Sequence, residues 1–322
     1  MTSPADKRTL SNGTEMPCCG LGTAKSYGDE AIAAIKTAVR AGCRLIDTAS
    51  RYRNEEAVGI AIKELIEEGV VKREDLFIST KAWTDEMAPK RLKKALRRSL
   101  HRLQLDYVDL YIAHMPIATK VDVRVRLNVT VEDIWRQFDE VYKAGLTKAV
   151  GVSNWSIDQI DRVNALGLTR VHNCQMEFHA HFPHRSHLSA CVDRNIVVTA
   201  YATLGSLGRL EHTVEGGSGK RVSAGPDSTL LIDPHVLEVA EKYNKTAAQV
   251  LLGHALYHSV IVIPKSINPK HIKENLDIFD FSLTIEDVVK CETNWVAQRL
   301  FPQHYMAGHR EDAFAEERKF YK

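Results

Sequence analysis

The feature that most constrains this chain is an alternation. Short apolar or β-branched runs, CCGLGT, RLIDTA, LFISTK, YVDLYIAH, AVGVSN, VHNCQMEF, IVVTAYATL and VIVIPKS, recur along it, and the segments between them carry helical periodicity. Strands that read as nearly continuous apolar runs suit burial on both faces, and strands alternating with helices build parallel sheets. Eight such units with no linker or shift in composition predict an α/β fold, one closed (β/α)8 TIM barrel occupying residues 1–322 as a single domain. An open doubly wound sheet is the competing architecture.

Spacing supports the helices. Val58, Ile62, Leu65 and Ile66 make one apolar face after Asn54, a cap residue; Leu92, Leu96, Leu100 and Leu103 make a second, and Ile134, Phe138 and Val141 a third. TLSNGTEMP predicts an N-terminal β-hairpin, since Asn-Gly favours a type I′ turn. The barrel strands are expected to end near residues 23, 49, 81, 114, 154, 178, 204 and 266. The seventh is followed by a long Gly- and Ser-rich loop, residues 205–229, placed to act as a flap over the active face. Beyond strand eight, IEDVVKCETN reads as a further helix, and the tail to residue 322 is expected to cover part of the mouth.

Composition narrows the partners. With 43 basic and 41 acidic residues the net charge is +2, which favours neither nucleic acid nor an acidic tail. No window approaches the roughly 18 apolar residues of a membrane helix, and MTSPADKRTL has no apolar targeting core, so a cytoplasmic protein is expected. Cys18, Cys19, Cys43, Cys174, Cys191 and Cys291 show no zinc spacing and read as buried reduced thiols. The N-x-T sequons at Asn12, Asn128 and Asn244 would matter only in a secreted chain.

In a barrel of this kind, reacting groups come from the C-terminal ends of different strands. Those ends offer Asp47 and Tyr52 after strand two, Lys81 after strand three and His114 after strand four. A phenol, an ammonium, a carboxylate and an imidazole on one rim fit proton transfer to an oxygen. Lys81 would lower the phenol's pKa and Asp47 would keep Lys81 charged, while offsetting part of its effect on Tyr52.

The motifs LIDTASRYRNEEAVG, ISTKAW, YVDLYIAHMP, AVGVSNWS, NCQMEFH, TAYATLGS and VIPKS…HIKEN, in this order, resemble those of the aldo-keto reductase family, of the aldose and aldehyde reductase type. The resemblance implies an NADPH-dependent (NADP+ in the reverse direction) reductase of a small-molecule carbonyl substrate, an aldehyde or ketone, acting as a monomer, with NADH used less well. It casts Tyr52 as proton donor, Lys81 and Asp47 as its tuners, and His114 as the group orienting the carbonyl. Ser153, Asn154 and Gln175 would hold the nicotinamide carboxamide, with the ring stacked on Tyr201. Leu204 and Ser206 would line the pyrophosphate path. Lys265, Ser266 and His271 would receive the 2′-phosphate, Glu274 and Asn275 would lie near the adenine, and Thr23 and Lys25 would complete the cofactor rim. A regulatory or structural NADPH-binding barrel is the alternative. A hydrolase with paired carboxylates is disfavoured by the lack of a second acidic residue beside Asp47 on these strand ends.

One part of the cofactor assignment has independent support. PKSINPKHIKEN gathers Lys265, Lys270, His271 and Lys273 at a helix start, where free amides also favour an anion. A solvated charged turn is the bland reading of the same residues. The chain departs from the family at Ala24 and Met115, each in place of a tryptophan, with Trp83 kept. Together with His114 these residues would line a widened substrate pocket suited to bulkier carbonyls than sugars. His271 stands where arginine is usual, and imidazole makes no bidentate fork to phosphate. Ala202 replaces a serine beside Tyr201.

Other signals read as bland. GLGTAK ends in Lys25 and fails the dinucleotide fingerprint, and VEGGSGKR lacks the residues of a phosphate-binding loop. His172, His179, His181, His184 and His187 lack an evident cysteine or carboxylate framework, so no metal is expected. PKRLKKALRRSLHRLQL carries leucines at helical spacing and reads as a packed outer helix rather than a nucleic-acid or membrane surface.

Overall fold

The computed structural model describes residues 3, 6–206, 228–296 and 299–319. An antiparallel hairpin comes first, β1 (Lys7–Thr9) and β2 (Glu15–Pro17). Its turn differs from the type I′ form: Gly13 N donates to Leu10 O at 2.8 Å, and Gly13 alone within the turn has a positive φ, +85°. A right-handed turn closed by one left-handed glycine is the three-residue hairpin solution. Leu10 and Met16 thereby reach the lower end of the barrel, where they pack with Leu45, Phe77, Leu110, Ala149 and Ile261.

Eight parallel strands follow in sequential order: β3 (Gly20–Gly22), β4 (Leu45–Asp47), β5 (Phe77–Ala82), β6 (Val108–Ala113), β7 (Thr147–Ser153), β8 (Asn173–Glu177), β9 (Val197–Tyr201) and β10 (Ile261–Val262). The sheet closes on itself as Val262 N donates to Cys18 O and Gly22 N to Pro264 O, both at 3.0 Å. Gly22 is required at this seam, because a Cβ there would lie 2.6 Å from Ile263 O. Gly22 of GLGT thus serves barrel closure, while Gly20 makes room for Leu45 of β4. β10 stops at Val262 rather than near 266, since Pro264 has no N–H to extend the ladder.

Around the strands run α1 (Gly28–Arg40), α2 (Glu55–Glu67), α3 (Leu92–Leu103), α4 (Val131–Lys143), α5 (Ile157–Asn164) and α6 (Arg185–Asp193). Two helices, α7 (Pro234–Tyr243) and α8 (Ala247–Tyr257), precede β10, and α9 (Pro269–Leu276) and α10 (Ile285–Cys291) follow it. Thr130, Ser156, Thr246 and Thr284 start α4, α5, α8 and α10 with reciprocal capping boxes. α3 buries its four leucines and turns its basic residues outward. On α2, Val58, Ile62 and Leu65 are buried, but Ile66 is 36% exposed and drops out of the expected face.

The tail crosses the C-terminal end of the barrel as expected. Glu177, fully buried at the end of β8, accepts from Leu300 N at 2.5 Å and Phe301 N at 3.0 Å. These bonds bring the Phe301 ring within 5.6 Å of Tyr201 and Tyr305 within 6.2 Å of Trp83. The flap expected at residues 205–229 lies, but for its first two and last two residues, outside the described residues. Among the described residues no helix is long and apolar enough to cross a membrane.

Candidate active site

β4 and β5 pair in register with Asp47 opposite Ser79, and Lys81 follows two residues later on the same face. Asp47 and Lys81 are 3% and 0% exposed. Lys81 Nζ donates to Asp47 Oδ1, to Thr48 O at 2.9 Å and to the Tyr52 hydroxyl at 3.4 Å. Asp47 Oδ2 accepts from Ser79 Oγ at 2.5 Å and from Gln175 Nε2 at 2.9 Å. A buried ion pair holds its charges only when its remaining valences are met in this way.

Tyr52 ends a single 3₁₀ turn, Ser50–Tyr52, and Arg53 then reverses the chain with φ of +55°. Asn54 occupies the cap position of α2 but makes no capping bond. Its side chain instead accepts from the Thr48 hydroxyl at 2.8 Å and donates to Thr23 O at 2.7 Å and Ser26 O at 2.9 Å. It therefore ties the loops after β3 and β4 together beneath the phenol. On the other flank, Ser50 Oγ donates to Glu86 Oε2 at 2.5 Å, and the same oxygen accepts from Trp83 N.

Burial pushes the Tyr52 phenol above its ordinary value, with Lys81 pulling it back and Asp47 adding to the rise. The expected lowering by Lys81 is present but outweighed. Removing a phenolate from water costs more than one partly neutralised ammonium returns. Burial also works against the charge on Lys81, yet Asp47 and the hydrogen bonds hold its pKa above the ordinary ammonium value. His114 follows β6 and stands edge-on to Tyr52 and to Trp83, ring centres 5.7 and 5.0 Å away. Burial, helped by the Lys81 and Arg51 charges, keeps its imidazole well below the usual range, so it is neutral near pH 7. Its buried Nδ1 has no protein partner.

Ser153 and Gln175 are register partners on β7 and β8. Asn154, held at φ +62°, donates through Nδ2 to His114 O and Ser153 Oγ, both at 3.0 Å, and accepts the Tyr201 hydroxyl at 2.6 Å. The structure therefore joins Ser153, Asn154, Gln175 and Tyr201 to Asp47 and His114 by hydrogen bonds. Thr23 is tied in as well, its hydroxyl donating to Asp47 O at 3.0 Å. These adjacent donors and acceptors fit a carboxamide. Lys25 is exposed, and Leu204 and Ser206 are half-buried.

The remaining expected cofactor residues occupy a separate stretch of rim after β10. Lys265, Lys270, His271 and Lys273 are exposed, Ser266 and Glu274 half-buried, and Asn275 buried. Asn268 caps α9 by accepting from Lys270 N at 2.9 Å, and Pro269 occupies its first turn. Of the expected pocket residues, Ala24 and Trp83 are half-buried, whereas Met115 is 3% exposed and belongs to the core.

Sequence reading missed Asn54 as a loop tie, Glu86 beneath Trp83, and Phe301 and Tyr305 from the tail. It also overlooked Glu177, a second acidic residue at a strand end. That carboxylate is committed to two tail amides, with His179 Nε2 3.2 Å from Oε1. The histidines do not share one site: His172 Nδ1 accepts from Val150 N, His181 meets Asp233 at 2.7 Å, and His184 meets Arg299, while the rings of His184 and His187 lie 4.9 Å apart. All six cysteines are buried and free, but the expectation that none frames the histidines does not hold, because Cys174 and Cys191 close on His187.

A parallel barrel whose mouth gathers a buried lysine–aspartate pair, a tyrosine and a neutral histidine defines a class, barrels with groups suited to proton transfer at the C-terminal end of the strands. Residues 18–295 match the model of the Aldo/keto reductase family. The chain is 36% identical over 311 residues to aldo-keto reductase family 1 member A1 of Gallus gallus, covering 92% of this chain and 91% of that one. Among solved structures it resembles the aldose reductase of Schistosoma japonicum, with a TM-score of 0.86 and 34% identity over 97% of this chain and 99% of that one. It also resembles a Bombyx mori aldo-keto reductase in complex with NADP, with a TM-score of 0.85 and 33% identity over the same shares of the two chains. The chain belongs to the aldo/keto reductase family.

Proposed function

We propose that this protein is an NADPH-dependent reductase of aldehydes and ketones, working as a monomer with residues 1–322 forming one functional unit. The observation that carries the reading is Lys81 Nζ, shared between Asp47 and the Tyr52 hydroxyl beside a neutral His114. NADP in the similar Bombyx mori structure supports the cofactor, as do the carboxamide-sized set Ser153, Asn154 and Gln175 and the basic start of α9. When bound, the cofactor supplies the hydride.

The chain's own residues would do the rest. Neutral His114 orients the carbonyl oxygen by hydrogen bonding. Tyr52, kept protonated by its raised pKa, donates its proton to the oxygen as negative charge develops there. Lys81 stabilises the phenolate left behind, and Asp47 holds Lys81 in position. Trp83 and the tail residue Tyr305 wall the site against water. Ser153, Asn154 and Gln175 would hold the carboxamide, Tyr201 would stack on its ring, Leu204 and Ser206 would follow the pyrophosphate, and Lys265, Ser266 and His271 would take the 2′-phosphate. Thr23, Lys25, Glu274 and Asn275 complete that surface.

The test follows NADPH absorbance with a panel of aldehydes, ketones, quinones and steroids. Turnover of several carbonyls supports the reading. NADPH binding without turnover of any of them would instead favour a regulatory or structural barrel.

A further inference from the structure

A cluster of soft ligands lies outside the proton site, on the opposite side of β8. Gln175 points into the barrel mouth, where it bonds Asp47, so its neighbour Cys174 projects from the other face of the strand toward the helices. There it meets α6, whose His187 and Cys191 are four residues apart and share one face of the helix. The ligand atoms of Cys174, His187 and Cys191 all lie within 4.8 Å of one another, and Cys174 Sγ is 3.7 Å from His187 Nε2. Metal–sulfur and metal–nitrogen bonds of about 2.3 and 2.0 Å at a tetrahedral angle give a sulfur–nitrogen edge of roughly 3.5 Å. The observed separation is close to that edge.

A second group, His254, His258 and Glu292, differs in kind. Both imidazoles already touch the same carboxylate oxygen, at 2.8 and 3.3 Å, and Arg185 pairs with the other oxygen. That group is held by its own ion pairs, with the carboxylate charge matched by Arg185. In the cysteine cluster the contacts are those of the three members with one another, Cys174 Sγ with His187 Nε2 among them. Both of its sulfurs are fully buried, and His187 is half-buried on α6. Nearby cations are paired elsewhere, Arg194 with Asp161 and Arg299 with Glu317.

We propose that Cys174, His187 and Cys191 form a binding site for one thiophilic divalent cation of the zinc type, with a fourth position open to water. Two thiolates and a neutral imidazole balance a divalent charge in a buried setting, and each is a ligand type this ion prefers. Binding releases the two thiol protons to solvent. The site does not depend on the reductase reading, since none of its ligands touches the proton site.

The experiment uses the full-length chain, reduced with a thiol-free reductant, stripped of metal and titrated with Co2+. The expected result is thiolate-to-cobalt charge-transfer absorption that saturates at one equivalent and is bleached by one equivalent of Zn2+. Cys174→Ser, Cys191→Ser and His187→Ala should each weaken or abolish it. His187→Ala changes a half-buried helix position and keeps the fold testable by circular dichroism. Absence of the band in the wild type, or a band unchanged in His187→Ala and Cys191→Ser, would overturn the site. Formation of a Cys174–Cys191 disulfide in a chain that binds no cobalt would overturn it as well.

Discussion

Gln175 reaches across the barrel mouth to donate to Asp47 Oδ2 at 2.9 Å, joining residues 128 positions apart in the chain. The amide expected to meet the cofactor therefore also holds the carboxylate that positions Lys81. Gln175→Ala should weaken NADPH binding and also lower kcat, because Asp47 loses a buried donor worth about 1–3 kcal/mol. Isothermal titration and steady-state kinetics measure the two effects, and a change in cofactor affinity alone would show that the bond does not reach the proton site.

Burial sets the direction of the Tyr52 titration. A pKa above the ordinary phenol value means that the proton is retained as pH rises through about 10 and lost only above it. An ultraviolet difference titration of wild type against Tyr52→Phe should show the Tyr52 phenolate forming later than a model tyrosine. Ionisation between pH 7 and 9 would mean that Lys81 outweighs burial.

The tail has its own anchor. Glu177→Gln replaces one acceptor of the two tail amides by an amide group and removes the charge that strengthens both bonds. A loss of about 1–3 kcal/mol is expected, with faster hydrogen exchange at residues 300 and 301 and a larger rise in substrate KM than fall in kcat. Unchanged exchange would show that the ring contacts of Phe301 and Tyr305 hold the tail unaided.

His172 gives a pH-dependent term in stability. Its buried ring accepts from Val150 N and is held near pKa 4 by burial, whereas the unfolded imidazole titrates near 6.5. A depressed pKa contributes stability that is complete above about 6.5 and is lost as pH falls toward 4. The linkage amounts to roughly 3 kcal/mol. Urea unfolding of wild type and His172→Gln between pH 7 and 4 should show a shallower acid decline in the variant.

Much of this was legible beforehand. The alternation of buried runs favoured a parallel barrel over an open sheet, and the strand ends were enough to place Asp47, Lys81 and His114 at one mouth. Asn54 stands at the cap position of α2, but the partners of its side chain, Thr23, Ser26 and Thr48, were not readable, because they come together only once β3 and β4 pair. Glu177 was passed over for the same reason, since its partners lie 123 and 124 residues further on. The sign of the Tyr52 shift was not readable either: the sequence names the charges around the phenol, and only the packed rim sets how far water is excluded. The Cys174–His187–Cys191 cluster escaped notice because one ligand lies on a strand and two on a helix.

The central claim is that Tyr52 delivers the proton. Tyr52→Phe keeps the ring that packs beside His114 and removes only the hydroxyl, so NADPH affinity should be unchanged. Single-turnover reduction of a good aldehyde at saturating NADPH should then fall about 100-fold or more, the usual scale for losing a positioned general acid. A variant that reduces the aldehyde at close to the wild-type rate would contradict the account.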